Sequence, residues 1–233
     1  CFDIHNGAEK WFYRTNGAVR FPPSHYNGKL YFGSDDGYAY CINAIDGSFV
    51  WKYSPTGNTR LVGNNKNVIP QWPIRTGTAV DNGKVYFAAC LVPWESPYLC
   101  SVDAETGSDS GTGLYKNTLN AAAAPYSQNV LSPMGAILLS STKIYLSQGR
   151  AAPHAFNRTN GANLGIFNYG EPKAIISWQH NWSAVGTYAL LTPESHLVHG
   201  RGRLYTGDNS LFEFNAETRD YVALHSSATA MVI

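Results

Sequence analysis

The chain repeats itself, and that repeat limits the fold more than any other feature. One unit runs Gly28-Lys-Leu-Tyr-Phe-Gly33, Asp35-Asp-Gly37, Tyr40-Cys-Ile-Asn43-Ala-Ile-Asp-Gly47, Trp51. It recurs as Gly83-Lys-Val-Tyr-Phe87 with Leu99-Cys-Ser-Val-Asp103-Ala-Glu-Thr-Gly107. Further copies are Thr142-Lys-Ile-Tyr-Leu146 with Ala155-Phe-Asn157-Arg-Thr-Asn-Gly161, and Gly202-Arg-Leu-Tyr-Thr206 with Leu211-Phe-Glu-Phe-Asn215-Ala-Glu-Thr218. The first residues lie within an earlier copy, Cys1-Phe-Asp3-Ile-His-Asn-Gly7 with Trp11. The Asp/Asn anchors at 3, 43, 103, 157 and 215 are 40, 60, 54 and 58 residues apart. A period of this length with several short strands per unit is that of a propeller blade.

Each fragment has a local physical reading. Lys-Leu-Tyr-Phe and its equivalents alternate polar and apolar residues and are rich in aromatic and β-branched types, so they predict strands. Asn27-Gly28 and Asn82-Gly83 precede such strands and predict tight hairpins, because both residue types tolerate positive φ. The Asp-x-x-x-Gly segments predict a second turn, with the carboxylate or amide bonding nearby backbone and Gly in the left-handed region. Each unit therefore reads as a meander of four strands, and no helical period interrupts it. The expected fold is all-β, a β-propeller of four-stranded antiparallel blades. About four blades are complete and others partial, as in a segment of a larger ring. The expected bounds are a partial blade at 1–14, blades at about 17–57, 70–115, 130–168 and 188–224, and the start of another at 226–233.

The residues at 30–51, Leu-Tyr-Phe-Gly-Ser-Asp-Asp-Gly-Tyr-Ala-Tyr-Cys-Ile-Asn-Ala-Ile-Asp-Gly-Ser-Phe-Val-Trp, closely resemble the repeat of PQQ-like quinoprotein β-propellers. The resemblance extends along the chain and is strongest over 1–53 and 74–107. It implies that the turn and the Trp lock neighbouring blades together. Trp11 and Trp51 keep that Trp, whereas Gly111, Gly165 and Ala223 are expected in the equivalent places, and Arg219 replaces a turn Gly. The long loops and Trp72-Pro-Ile-Arg-Thr-Gly77 resemble propellers of large bacterial extracytoplasmic proteins of the planctomycete kind. The address so implied is periplasmic or cell-surface.

Charge narrows the function classes. Charged residues are 14% of the chain and the net charge is +1, so no charge excess favours nucleic acid or an anionic membrane. No apolar run approaches the ~18 residues of a membrane-spanning helix. There is no Cys-x-x-Cys, no Gly-x-Ser-x-Gly and no phosphate-binding glycine loop. His196 and His199 are three apart, so on a strand they face opposite sides, and no metal is expected. Cys1 and Cys41 share a repeat position and are expected to face inward. Cys90 and Cys100 leave a cross-strand disulfide open.

Alignment on Lys29, Lys84, Lys143 and Arg203 places Arg20, Arg75, Met134 and Glu194 where each innermost strand begins. That end shares a rim with the loops carrying Asp35, Asp36, Trp94, Glu95 and Arg150, because strands one and two are antiparallel. The expected ligand-binding rim of the central channel is Arg20, Trp72, Arg75, Trp94, Arg150 and Glu194. The bland alternative is that these charges pair with one another and the Trp rings pack between blades. Three functions stay open. The first is a non-catalytic extracytoplasmic scaffold or protein-interaction module, with no cofactor, whose partners are other chains or the remaining blades. The second is a PQQ-dependent oxidoreductase holding PQQ with Ca²⁺. Active enzymes of the resembled family use a Trp floor, a vicinal disulfide and oxygen ligands, and no vicinal Cys pair exists here. The third is small-anion or carbohydrate binding at the channel mouth.

Overall fold

A computed structural model describes residues 1–57, 60–64, 67–92, 95–119, 131, 133–148, 154–166, 198–200, 203–207 and 210–226. Among these every regular element is a strand. Blade one is β1 (Ser24–Tyr26), β2 (Lys29–Gly33), β3 (Ala39–Asn43) and β4 (Phe49–Tyr53). A separate hairpin follows, β5 (Leu61–Asn64) and β6 (Asn67–Pro70). Blade two is β7 (Ala79–Asp81), β8 (Lys84–Ala89), β9 (Tyr98–Asp103) and β10 (Tyr115–Thr118). Blade three is β11 (Pro133–Leu139), β12 (Lys143–Gln148), β13 (His154–Asn157) and β14 (Asn163–Ile166). Blade four is β15 (Val198–Gly200), β16 (Arg203–Gly207), β17 (Ser210–Asn215) and β18 (Tyr221–Ser226). Each blade is an antiparallel meander in chain order. The first strands β1, β7, β11 and β15 lie beside one another in sequence, which is the fan of a propeller. All-β architecture with four four-stranded blades is therefore what the chain adopts.

The anchor turns repeat almost identically. Asp3, Asn43, Asp103, Asn157 and Asn215 each accept a backbone N–H from the residue two positions on, through a side-chain oxygen. Their own carbonyls accept the N–H four positions on. That fourth residue has φ of 71°, 72°, 73°, 69° and 69° at Gly7, Gly47, Gly107, Gly161 and Arg219. The Asn27-Gly28 and Asn82-Gly83 hairpins have positive φ at both central residues, as a type I′ turn requires.

Glycine at these turns also makes room. A Cβ at Gly47 would lie 2.5 Å from the Trp11 ring, one at Gly107 2.7 Å from Trp51, and one at Gly161 2.6 Å from Tyr115. An aromatic on the last strand of one blade thus sits flat on the anchor turn of the next. The third member is Tyr115, not Gly111. The register pairs Tyr115 with Ser101 as it pairs Trp51 with Cys41, two residues before each anchor. Extra residues in the 108–114 loop displace it from the simple count. At the next junction the roles are exchanged. Gly165 stands where the aromatic should be, paired with Ala155. Arg219 stands where the turn glycine should be, and its guanidinium donates to the Leu164 carbonyl. A small residue on the strand thus accompanies a large one on the turn, and the junction stays filled.

Polar bonds secure the same junctions. Tyr31 Oη and Trp51 Nε1 both donate to the Ala104 carbonyl, at 3.1 and 3.0 Å. Tyr145 Oη donates to the Ala216 carbonyl at 2.5 Å. Between blades two and three the residue after the anchor is Arg158. Its guanidinium donates to Tyr86 Oη at 3.2 Å, to the Ser140 carbonyl at 3.0 Å and to the Asp81 carboxylate. Lys29 pairs with Glu105, and Lys143 with Glu217, across two further junctions.

The core is correspondingly split into layers between blades. Tyr31, Cys41 and Trp51 pack with Val85, Phe87 and Cys100, and Tyr86, Leu99 and Tyr115 pack with Ile137, Ile144 and Phe156. Cys41 and Cys100 are buried free thiols. The Cys90–Cys100 disulfide does not form. Cys100 is opposite Phe87, three residues from Cys90, and about 10 Å of strand separates them. Cys1 is exposed, contrary to the expectation from its repeat position.

Two stability measurements test the ring-on-turn contact. Gly83→Ala and Gly107→Ala carry the same left-handed strain, about 1–2 kcal/mol, but only Gly107 has a ring above it. Chemical denaturation should show Gly107→Ala costing a further 1–3 kcal/mol or so. Gly165→Trp should destabilise by about 2 kcal/mol, and adding Arg219→Gly should recover at least about half of that. Additive effects would refute the exchange.

Candidate functional site

The site builds outward from the loop between β2 and β3. The Asp35 N–H donates to the Ala18 carbonyl and the Ile74 N–H donates to the Ser34 carbonyl, which pins this loop between the leads into β1 and β7. The approach is so close that a Cβ at Gly17 would sit 2.3 Å from Asp36 N, and one at Gly33 2.3 Å from Ile74. Pro22-Pro23 bars the lead into β1 from ladder bonding, so the strand begins at Ser24, not near Arg20. The corresponding strand of blade two begins at Ala79, four residues beyond Arg75.

Arg20 and Arg75 converge on one carboxylate. Arg20 Nε donates to Asp35 Oδ2 at 2.9 Å, and its Nη2 to the same oxygen at 2.5 Å. Arg75 Nε donates to Oδ1 at 3.0 Å and its Nη2 to Oδ2 at 3.2 Å. Asp35 is 6% exposed, Arg75 13% and Arg20 48%. Burial pushes the Asp35 carboxyl up, but the bonds and charges of the two arginines outweigh it and hold it below the ordinary range. Asp36 serves a different set: Tyr40 Oη donates to it at 2.6 Å, Asn16 N at 3.1 Å and Tyr38 N at 3.2 Å. Arg20 and Arg75, expected on one rim, thus meet at Asp35, the pairing of rim charges with one another that was the alternative to a ligand site.

Trp72 does not offer an open face beside them. Its indole packs edge-on against Tyr98 and against the blade-one/blade-two core. Its N–H is shared by the Glu95 and Ser96 carbonyls at 3.1 and 3.2 Å. Arg60 pairs with the Glu95 carboxylate at 3.2 Å. Trp94, Arg150 and Glu194 lie outside the described residues. Sequence reasoning missed the β5–β6 hairpin on this rim. Its signal is legible in hindsight: Leu61-Val62-Gly63-Asn64 and Asn67-Val68-Ile69-Pro70 flank an Asn-rich turn.

The described residues do not fit a quinone held by calcium. No three His, Cys, Asp or Glu side chains among them converge as metal ligands. The Asp35 oxygens are taken by two guanidiniums, and Trp72 is edge-packed.

Replacing Asp35 with Asn should cost about 2–3 kcal/mol at neutral pH, less than for a wholly buried pair because Arg20 is half in solvent. The folded-state pKa lies below the reference value of 3.8, so the carboxylate's contribution is complete above that value and is lost as pH falls below it. Urea midpoints of wild type and Asp35→Asn should converge on acidification. A gap that is constant with pH would contradict the ionic account.

No family model and no curated protein matches the chain. Solved structures do. BamB from Moraxella catarrhalis aligns with a TM-score of 0.57 at 13% identity, over 96% of this chain and 56% of that one. The quinohemoprotein alcohol dehydrogenase ADHIIG from Pseudomonas putida HK5 aligns at 0.60 and 17% identity, over 93% and 35%. The quinohemoprotein alcohol dehydrogenase from Comamonas testosteroni aligns at 0.61 and 15% identity, over 90% and 35%. The chain thus spans about a third to just over half of the length of these neighbours, and its fold is that of the PQQ-like β-propellers they contain.

Proposed function

We propose that this chain is a non-catalytic propeller segment, working as a scaffold or protein-interaction module of an extracytoplasmic protein. The observation that carries the reading is the β5–β6 hairpin. It belongs to no blade and is not needed to build one, yet it is clamped on the rim. The Gln71 N–H donates to the Arg60 carbonyl, and Arg60 and Trp72 tie its base to Glu95. On it Leu61 is 59% exposed and Val68 68% exposed. These two face one side of the hairpin, with Gly63 and Pro70, by the period of two. An apolar element held out from a rigid frame suits contact with another protein.

The dehydrogenase reading comes from the repeat's resemblance and from neighbours that are dehydrogenases at 14–17% identity, and likeness at that level carries the fold alone. A dehydrogenase would need its quinone floor and cation ligands from beyond the described residues. No helix among the described residues is long and apolar enough to cross a membrane.

Photo-crosslinking in cells producing the complete protein tests the reading. A benzophenone amino acid at position 61 or 68 should trap a partner protein, and one at position 82, at the tip of a hairpin on the opposite rim, should not. With the benzophenone at 61, Val68→Ser should reduce capture, and with it at 68, Leu61→Ser should, each change costing less than about 0.5 kcal/mol of stability. Equal trapping from both rims, or a visible quinone spectrum with dye-linked alcohol oxidation after PQQ and Ca²⁺ are added, would overturn the proposal.

A further inference from the structure

We propose that the Arg20–Asp35–Arg75 cluster is a seat for one further carboxylate, supplied by an acidic, apolar segment of the partner that the β5–β6 rim receives. This inference rests on the interaction reading above and names the chemistry of what docks. Its first support is a charge count on the rim. The described parts of the leads into β1 and β7, within residues 12–23 and 54–78, hold Arg14, Arg20, Arg60 and Arg75 and contain no Asp or Glu. The loops they meet supply Asp35, Asp36 and Glu95. Cations outnumber carboxylates there although the whole chain is nearly neutral.

The second support is the stoichiometry at Asp35. Ion pairs at the blade junctions are one to one: Lys29 with Glu105, Arg158 with Asp81, Lys143 with Glu217. Asp35 alone among the described residues carries two guanidiniums. Two arginines on one buried carboxylate place two like charges side by side. Asp36, the neighbouring carboxylate, accepts from Tyr40, Tyr38 and Asn16.

The third support is the donors left over. Arg20 and Arg75 bond Asp35 only through Nε and Nη2, so the Nη1 amino groups of both have no acceptor among the described residues. Both forks are oriented by Asp35 and by the loop it belongs to, so an arriving carboxylate meets donors already placed. Exposed Val19, at 45%, lies next to Arg20, and Leu61 and Val68 stand on the neighbouring lead. A segment alternating acidic and apolar residues matches that surface; a phosphate or a free carboxylic acid would share only the charge.

The test follows the arginine Nε–Hε signals of the ¹⁵N-labelled chain by NMR. Acetyl-Glu-Leu-Glu-Val-Glu-amide should move the Arg20 and Arg75 signals saturably, and sodium chloride at equal ionic strength should not. Arg20→Ala should weaken peptide binding at least fivefold, and Arg20→Lys, which keeps the charge but not the fork, should restore it only in part. Leu61→Ser with Val68→Ser should weaken the peptide but leave any response to sodium acetate unchanged. Equal saturation by acetate or inorganic phosphate at the peptide's concentration would mean a small-anion seat and overturn the segment proposal. Signals that move for none of these probes would overturn the seat itself. Photo-crosslinking from 61 and 68 can still succeed in that case, so failure of the seat is distinguishable from failure of the interaction reading.

Discussion

The structure depends on one contact: an aromatic ring at the end of a blade lying on a turn that has no side chain. The anchor Asp or Asn bends the chain through its own side-chain bonds. That bend puts the residue four positions on at φ near +70°, where glycine carries no steric penalty. Glycine then leaves the space that Trp11, Trp51 and Tyr115 fill. The same backbone requirement thus makes the turn and makes the neighbour's docking place. A four-stranded blade has two apolar faces, and this contact helps set the face-to-face spacing at which Tyr31 and Trp51 reach the Ala104 carbonyl together.

Much of this was legible in the sequence because turn chemistry is local. Asp/Asn with Gly four later, and Asn-Gly before Lys-hydrophobic-Tyr, state their backbone geometry without reference to distant residues. Strand order and blade number followed from the same spacing. Tyr115 takes the place expected of Gly111 because a longer hairpin loop shifts it in number while leaving it in register with Ser101. The Gly165–Arg219 exchange was visible as two separate departures; that they compensate each other needs the third dimension. The β5–β6 hairpin was passed over because an element outside the period has no second copy to announce it.

The rim was legible only halfway. Alignment brought Arg20 and Arg75 to one edge of the arc, where antiparallel strand ends must meet. It could not say that both would take hold of the same carboxylate, since each bidentate fork depends on side-chain direction and on the path of the Pro22-Pro23 lead. Trp72 shows the opposite outcome. Its ring is spent on Tyr98 and its N–H on backbone carbonyls, the packing role weighed against ligand binding. The neighbouring propellers share this frame at 13–17% identity.

The ring-on-turn contact can be observed directly by NMR. A glycine lying over an indole feels its ring current, so the Gly47 and Gly107 α-protons should resonate well upfield of the Gly28 and Gly83 α-protons, which have no ring above them. Trp51→Leu should return Gly107 alone to the ordinary range. Ordinary shifts at both glycines in the wild-type chain would contradict the account, and with it the way the blades are held together.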